Sequence, residues 1–319
     1  MKKVLIISTG GTIASTENEA GKLEAGKYSG EQLAEKLGIP EDMEVKIISA
    51  LQKPSVHITF ADLEKIKETA DQFLPSFDGL VITHGTDTLE ESAYYFDLIT
   101  DYEKPVVFTG SQRSPDALGS DAFINLRHAI YAAGSRSLRG TGVTVVFNER
   151  IFSAKYVKKE HASNIQGFNA FGFGYLGIID NDEIHLYQRP IHKEYYPVAE
   201  KREVNVEIIK CFMNGTDLFV KACTAENVDG IVLEGLGRGQ IHPAMVDAVT
   251  AAVEKGIKVI ITTASEEGHV YTTYEYSGSA YDLYKRGVIL GRDYDSKKAR
   301  IKLIACLKSG QPAERAFER

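Results

Sequence analysis

Val4-Leu5-Ile6-Ile7-Ser8-Thr9-Gly10-Gly11-Thr12 opens the chain with an apolar strand that runs straight into glycine and hydroxyl residues. The same succession returns in Leu80-Val81-Ile82-Thr83-His84-Gly85-Thr86-Asp87-Thr88 and in Val106-Val107-Phe108-Thr109-Gly110-Ser111-Gln112. Continuous apolar runs of this length suit strands buried on both faces of a parallel sheet. In an open α/β sheet, ligands bind in the crevice outside the carboxyl ends of the strands. Three such endings, all rich in alcohols and backbone N–H groups, predict one polar pocket.

The segments between these strands read as helices. Apolar residues at helical spacing mark Gly30–Leu37, through Leu33 and Leu37, and Phe60–Phe73, through Leu63, Ile66, Ala70 and Phe73. Leu89–Ile99 is predicted as a helix with Glu90 and Glu91 at its positive end. Asp121–Ala133 is another. Further strands are expected at Glu44–Ala50 and Gly142–Asn148. Strands alternating with helices of about a dozen residues imply βαβ units, hence a doubly wound, mostly parallel sheet. Tyr187–Arg202 breaks the rhythm with Pro190, Pro197, paired tyrosines and mixed charge, and reads as an extended linker. The pattern restarts at Val204–Lys210 and continues through Asn214–Ala222, Gly230–Leu233, Ala244–Lys255, Lys258–Thr262 and Asp282–Lys285. The expected organisation is a large N-terminal α/β domain over 1–188, a linker over 189–204 and a smaller C-terminal α/β domain over 205–319. The polar residues Ser309–Arg319 are expected to fray.

Length and composition agree with two domains: 319 residues exceed the usual span of a single core. A net charge of −7 gives no electrostatic reason to bind nucleic acid or an anionic membrane. Lys158-Lys159 and Lys297-Lys298-Arg300 are too short to act as polyanion patches. Cys211, Cys223 and Cys306 are widely spaced, which argues against a disulfide framework and a zinc site. The apolar run after Met1-Lys2-Lys3 is too short for a signal-peptide core or a membrane span, so a cytoplasmic location is expected.

The chemistry concentrates in the turns. Gly10 and Gly11 permit positive φ or close approach to a ligand, and Thr12 presents a hydroxyl beside N–H groups suited to an oxyanion or a carboxylate. The competing reading is a simple chain reversal. A phosphate cradle is disfavoured, because neither GxGxxG nor the Gly-Lys-Ser/Thr ending of a P-loop is present. An alcohol needs a base to become a nucleophile. Asp87 is too acidic for that work, and could instead orient a lysine, bind a substrate ammonium or cap the helix starting at Leu89. His84 suits a structural role better than a catalytic one. Lys155, Lys158 and Lys159 remain open as sources of a base on composition alone.

Thr9-Gly10-Gly11-Thr12-Ile13-Ala14 and His84-Gly85-Thr86-Asp87-Thr88 together resemble the two signature motifs of bacterial L-asparaginases. Gly110-Ser111-Gln112-Arg113, with Ser120-Asp121 and Asn125-Leu126, is similar to a third shared block. The likeness extends through Lys155–Lys159, Asp229-Gly230-Ile231-Val232 and Ser296-Lys297-Lys298-Ala299-Arg300, and so covers nearly the whole chain. The resemblance implies two α/β domains and hydrolysis of the asparagine side-chain amide to aspartate and ammonia, with no cofactor and no metal. It implies Thr12 as nucleophile, with Thr86 as the rival, and a second constellation of Thr86, Asp87 and Lys159. Lys159 would polarise Thr86, and Asp87 would hold the lysine and the substrate's α-amino group. Gly11, Ser55, Gly85 and Ser111 fall at substrate-binding positions, Ser55 for the α-carboxylate and Ser111 near the amide. The partners implied are L-asparagine and further copies of the chain, as a homotetramer or dimer in which the neighbour completes each site.

Several positions depart from the secreted members of that family. Val56 follows Ser55 where those enzymes carry glutamine, and the lid tyrosine aligns with Leu23, leaving Tyr28 as the nearest candidate. Arg238 stands in place of an asparagine that reaches across the dimer, and Glu275 and Glu266 are the candidates for a cross-subunit glutamate. These departures bear on the lid and on tolerance of glutamine, and they favour a cytoplasmic, Bacillus-like enzyme. Two other functions fit the domain pair. An ammonia-supplying amidotransferase subunit would carry a domain before its first threonine motif, which begins here at residue 9. A non-catalytic amino-acid sensor would need the pocket but not Lys159. Gly235–Gln240 lacks a dinucleotide register and reads as a tight turn at a subunit contact.

Overall fold

The computed structural model describes residues 1–10, 15–17, 23–25, 37–40, 42–191, 193–199 and 202–318. Gly11, Thr12, Tyr28 and all but the last residue of the helix expected at Gly30–Leu37 lie outside the described residues. The chain divides into two units, Met1–Tyr195 and Tyr196–Arg319.

In chain order the first unit contains β1 (Lys2–Ser8), a ribbon of β2 (Ser15–Glu17) and β3 (Leu23–Ala25), β4 (Met43–Ser49), α1 (Phe60–Phe73), β5 (Gly79–Thr83), α2 (Leu89–Ile99), β6 (Val106–Thr109), α3 (Ala122–Ala133), β7 (Val143–Phe147), β8 (Arg150–Ser153), β9 (Lys158–Lys159), β10 (Phe168–Asn169), β11 (Gly177–Asp180) and β12 (Glu183–Leu186). Its main sheet has the order β12-β11-β8-β7-β6-β5-β1-β4. The run from β7 to β4 is parallel, and β8, β11 and β12 are added antiparallel at one edge. The added edge is built by two tight turns. Asn148-Glu149 and Asn181-Asp182 hold φ of 48° and 63°, and of 50° and 63°, the left-handed pairs that two-residue hairpins require.

Strand alternation covers both faces of the sheet. Val4, Ile6, Val81, Val107 and Val146 pack under α3, with Leu126, Ala129, Ile130 and Ala133. Leu5, Ile7, Leu80, Ile82 and Phe108, equally buried, point the other way, toward the side where α1 and α2 pack together. The first unit is therefore an α/β layer with helices on both faces. α1 is fixed at its start by a capping box: Thr59 Oγ1 accepts from Asp62 N at 3.2 Å, and Asp62 Oδ2 accepts from Thr59 N at 3.0 Å.

From β1 the chain passes to β4 on one side, then returns to β5 on the other, so the strand order reverses at β1. The register sets Ser8 opposite Thr83 and Thr83 opposite Thr109. Three strands thus end level with one another, and the turns that follow them start side by side at the switch point.

The second unit contains β13 (Val206–Lys210), α4 (Leu218–Ala225), β14 (Gly230–Gly235), α5 (Val246–Glu254), β15 (Lys258–Thr263), α6 (Ala280–Lys285), β16 (Ile289–Leu290), α7 (Ser296–Lys308) and α8 (Ala313–Ala316). Its strands form one parallel sheet in the order β13-β14-β15-β16 around a core that includes Ile231, Leu233, Val249 and Ile261. The expectation of a frayed tail is overturned here. Ala313, Ala316 and Phe317 are buried, and the Phe317 ring meets Tyr294 edge-on with centroids 5.6 Å apart. Lys302 Nζ lies 5.0 Å from the Phe317 ring and bonds Tyr294 Oη at 2.9 Å. Apolar burial of one aromatic outweighs the polar composition around it. Among the described residues no helix is long and apolar enough to cross a membrane.

Candidate active site

The turn after β5 carries the reactive cluster. His84 N donates to Thr109 O at 2.9 Å, which ties that turn to the end of β6, and Thr9 Oγ1 donates to Thr83 O at 2.9 Å, which ties it to β1. Close packing of backbones here depends on glycine. A Cβ on Gly110 would meet His84 O at 2.6 Å, and Gly10, at φ 98°, leaves no room beside Lys53 N. On the far side, Thr88 Oγ1 donates to Ser55 O at 2.8 Å and brings the short 3-10 turn Ser55–His57 against Gly85.

Lys159, on β9, enters this cluster from the other direction. Its Nζ lies 2.8 Å from Thr86 Oγ1 and 2.8 Å from Asp87 Oδ1. The lysine side chain is 13% exposed and that of Asp87 64% exposed, so the lysine end of the pair is enclosed while the carboxylate faces outward. Asp87 therefore does not cap α2: the N-cap position belongs to Thr88, and the carboxylate goes to Lys159. The backbone N–H of Lys159 donates to Glu90 Oε2, a buried carboxylate in the first turn of α2. Sequence patterning marks Glu90 only as a partner of the helix dipole; its anchoring of β9 depends on a contact 69 residues along the chain.

The third block is a scaffold. Asp121 accepts from Gln112 N at 3.0 Å, Arg113 N at 3.0 Å and Asn125 Nδ2 at 3.0 Å. Asn125 Nδ2 also donates to Gly110 O at 3.0 Å, and Asn125 Oδ1 accepts from Asn148 N at 3.0 Å. Ser111, buried by this arrangement, has an Oγ with no partner among the described residues, as have Thr83 Oγ1, His84 Nε2 and Gln112 Nε2. Buried polar groups are rarely left unpaired, and these four occur at or just past the ends of β5 and β6.

His84 is fully enclosed. Burial pushes its imidazole down to about 4, against a weaker opposing effect of the Gly85 carbonyl, which lies 2.8 Å from Nδ1. A neutral ring beneath the turn is a structural element. Burial raises the affinity of Asp62 for its proton, but Lys53 Nζ, at 2.9 and 2.8 Å from the two carboxylate oxygens, and the Thr59 N–H and hydroxyl hold it below the ordinary carboxylate value.

Of the residues expected at the site, Ser55, Gly85, Thr86, Asp87, Ser111 and Lys159 occur around the ends of β5 and β6, while Gly11, Thr12 and Tyr28 lie outside the described residues. Lys155, also a candidate base, places its Nζ 5.0 Å from the Tyr156 ring. The described residues contain no group of side chains suited to hold a metal ion.

Residues 3–192 match the family model described as "Asparaginase, N-terminal", and residues 205–318 match the "Glutaminase/Asparaginase C-terminal domain". The chain belongs to the asparaginase family. It is 53% identical to an L-asparaginase of Bacillus licheniformis, over 97% of this chain and 96% of the relative. A probable periplasmic L-asparaginase of Haemophilus influenzae is 30% identical over 96% of this chain and 89% of its own. Among solved structures, the probable cytoplasmic L-asparaginase of Campylobacter jejuni superimposes with a TM-score of 0.87 at 28% identity, covering 100% of this chain and 98% of that one. Family membership fits the placement of the strand-end motifs at a switch point.

The remaining family-linked positions lie in the second unit. Gly235–Gln240 is a tight turn closed by Leu236 and Gln240, with Gly237 and Gly239 at φ 52° and 92°. The Arg238 carbonyl in it accepts from Tyr271 N at 3.3 Å. Glu275 faces Lys285 Nζ at 3.8 Å.

Proposed function

We propose that the chain hydrolyses the side-chain amide of L-asparagine to L-aspartate and ammonia through a threonine ester, with weaker action on L-glutamine. The observation that carries this reading is Lys159 Nζ at 2.8 Å from both Thr86 Oγ1 and Asp87 Oδ1 in the turn after β5. Thr12 adds to the amide carbonyl carbon as its proton passes to a base. The carbon–nitrogen bond then breaks, the nitrogen takes a proton, and ammonia leaves. Water attacks the resulting ester, aspartate departs and the proton returns to the threonine. A lysine held against the Thr86 hydroxyl is suited to move a proton there, and the exposed Asp87 carboxylate both positions the lysine and can take the α-ammonium of the substrate. Gly11 and Gly85 would let the backbone approach the substrate, Ser55 would bind the α-carboxylate, Ser111 the amide end, and Tyr28 would close the pocket. The contact between Lys159 and Thr86 supports a second reading in which Thr86 itself attacks.

Side-by-side ammonia release from L-asparagine, L-glutamine and D-asparagine tests the reaction, with L-asparagine expected to be turned over fastest. Thr12→Ala and Thr86→Ala test the roles: both should lose nearly all turnover, and near-full activity in both would remove the threonine mechanism. The domain division at 1–188, 189–204 and 205–319, a cytoplasmic location and assembly into a homotetramer or dimer whose neighbour completes each site belong to the same reading. Cell fractionation and sedimentation of the purified protein test the last two.

A further inference from the structure

We propose that Gln112 is a positioning residue that sets the direction in which the Thr86 hydroxyl points its proton. The proposal rests on the amide-hydrolysis reading above and assigns one step of it. Thr86 Oγ1 lies between two groups, Lys159 Nζ at 2.8 Å and Gln112 Oε1 at 3.3 Å. A hydroxyl carries one proton to donate and lone pairs that accept. While Lys159 is an ammonium it donates to Thr86 Oγ1, and the Thr86 proton goes to Gln112 Oε1. A neutral Lys159 offers a lone pair instead. Thr86 then turns its proton toward Nζ, and its oxygen takes a donor from the other side.

A primary amide supplies both partners from one place. Half a turn of its terminal torsion exchanges Oε1 for Nε2, and Nε2 is buried with no partner among the described residues. A carboxylate in the same position would only accept, and a thioether would do little of either.

The surroundings hold this amide where it can serve. The Gln112 backbone N donates to Asp121 Oδ2 at 3.0 Å, while a Cβ on Gly167 would fall 2.3 Å from Gln112 Nε2. Gly167 belongs to the loop between β9 and β10, and its carbonyl accepts from Glu160 N at 2.8 Å and His161 N at 3.2 Å. His161 Nδ1 in turn accepts from Ser163 N at 3.1 Å and Asn164 N at 3.0 Å. The loop that follows Lys159 therefore also walls the amide, so that lysine and amide keep fixed places on either side of one hydroxyl. Among the described residues, the charged groups that contact Lys159 are Asp87 from the turn after β5 and Glu90 from α2, and Lys158 and Glu160 flank it in sequence.

Gln112→Met and Gln112→Glu test the role through kcat and KM for ammonia release from L-asparagine across pH. Gln112→Met keeps length and removes the hydrogen bond; kcat is expected to fall about tenfold with KM within about twofold. Gln112→Glu only accepts and adds negative charge near Lys159. The limb on which kcat rises with pH is expected to move up by about one pH unit or more. Wild-type kcat in Gln112→Met, or a change confined to KM, overturns the proposal, as does an unshifted limb in a folded Gln112→Glu. Where melting shows Gln112→Glu unfolded, Gln112→Met decides. Wild-type protein that releases no ammonia from L-asparagine overturns the underlying reading as well; active wild type with unaffected variants overturns the role of Gln112 alone.

Discussion

The carboxyl ends of β5 and β6 in the first unit and of β14 and β15 in the second present similar residues and differ in what becomes of them. At β15, Thr262 Oγ1 donates to Leu233 O at 3.2 Å, and Thr263 Oγ1 donates to Gly237 O at 2.5 Å while accepting from Ser265 N at 3.0 Å. The turn Gly235–Gln240 curls back and consumes the hydroxyl. At β5 and β6 the glycines let neighbouring turns approach one another, and Thr83 Oγ1, His84 Nε2, Ser111 Oγ and Gln112 Nε2 stay without described partners. Each buried group without a partner costs about 1–3 kcal/mol, a cost carried at the ends of β5 and β6 and avoided by Thr262 and Thr263 at β15. A hydroxyl at a strand end acquires chemistry when its own backbone does not claim it.

The largest separation between the two regions is expected in turnover. Thr86→Val should lower kcat by about a thousandfold, within the range that a positioned proton-transfer group contributes. Thr263→Val should leave kcat within about twofold and cost about 1 kcal/mol of stability, read by denaturant unfolding. Loss of activity in Thr263→Val without loss of stability would remove the contrast.

Next in size is an effect of pH on stability. His84 has its proton affinity lowered from 6.5 to about 4 in the folded chain. The unfolded chain therefore binds more protons between those values. The stability that neutral His84 contributes is complete above about pH 6.5 and is lost as pH falls toward 4, by up to about 3 kcal/mol. Unfolding free energies measured across that interval should show a slope that flattens in His84→Gln.

Two glycine substitutions sharpen the comparison at smaller scale. Gly110→Ala drives a methyl group to 2.6 Å from His84 O and should cost about 2–3 kcal/mol together with activity. Gly237→Ala, at φ 52° with nothing within 4 Å of the added carbon, should cost about 1 kcal/mol and spare activity. Thermal melts and ammonia assays on the pair check both expectations.

Much of this was legible in the residue pattern, for identifiable reasons. α1 spans the stretch that helical periodicity marks, Phe60–Phe73, β6 takes in the continuous apolar run at Val106–Phe108, and α2 spans Leu89–Ile99, with Glu90 and Glu91 in its first turn. The hairpin turns at Asn148-Glu149 and Asn181-Asp182 escaped because neither pair contains the glycine that signals such turns. α7 escaped because lysines interrupt its apolar residues, although Lys298 at 2% and Lys302 at 0% exposure are buried with them. Phe317 hides in a polar tail yet anchors it. At the site, the glycine and hydroxyl motifs announced themselves locally. Glu90 and Gln112 did not, since their roles arise from contacts with Lys159 and Thr86 that only the sheet order brings about.

In the proposed hydrolysis of L-asparagine, Lys159 drives proton movement at Thr86. Ammonia release by wild type, Lys159→Met and Lys302→Met tests it most directly, because both lysines are enclosed and only one faces the strand-end hydroxyls. Lys159→Met should remain folded and lose about a thousandfold in kcat, whereas Lys302→Met should lose stability and keep turnover for as long as it stays folded. A folded Lys159→Met protein with more than about a tenth of wild-type turnover would contradict the account.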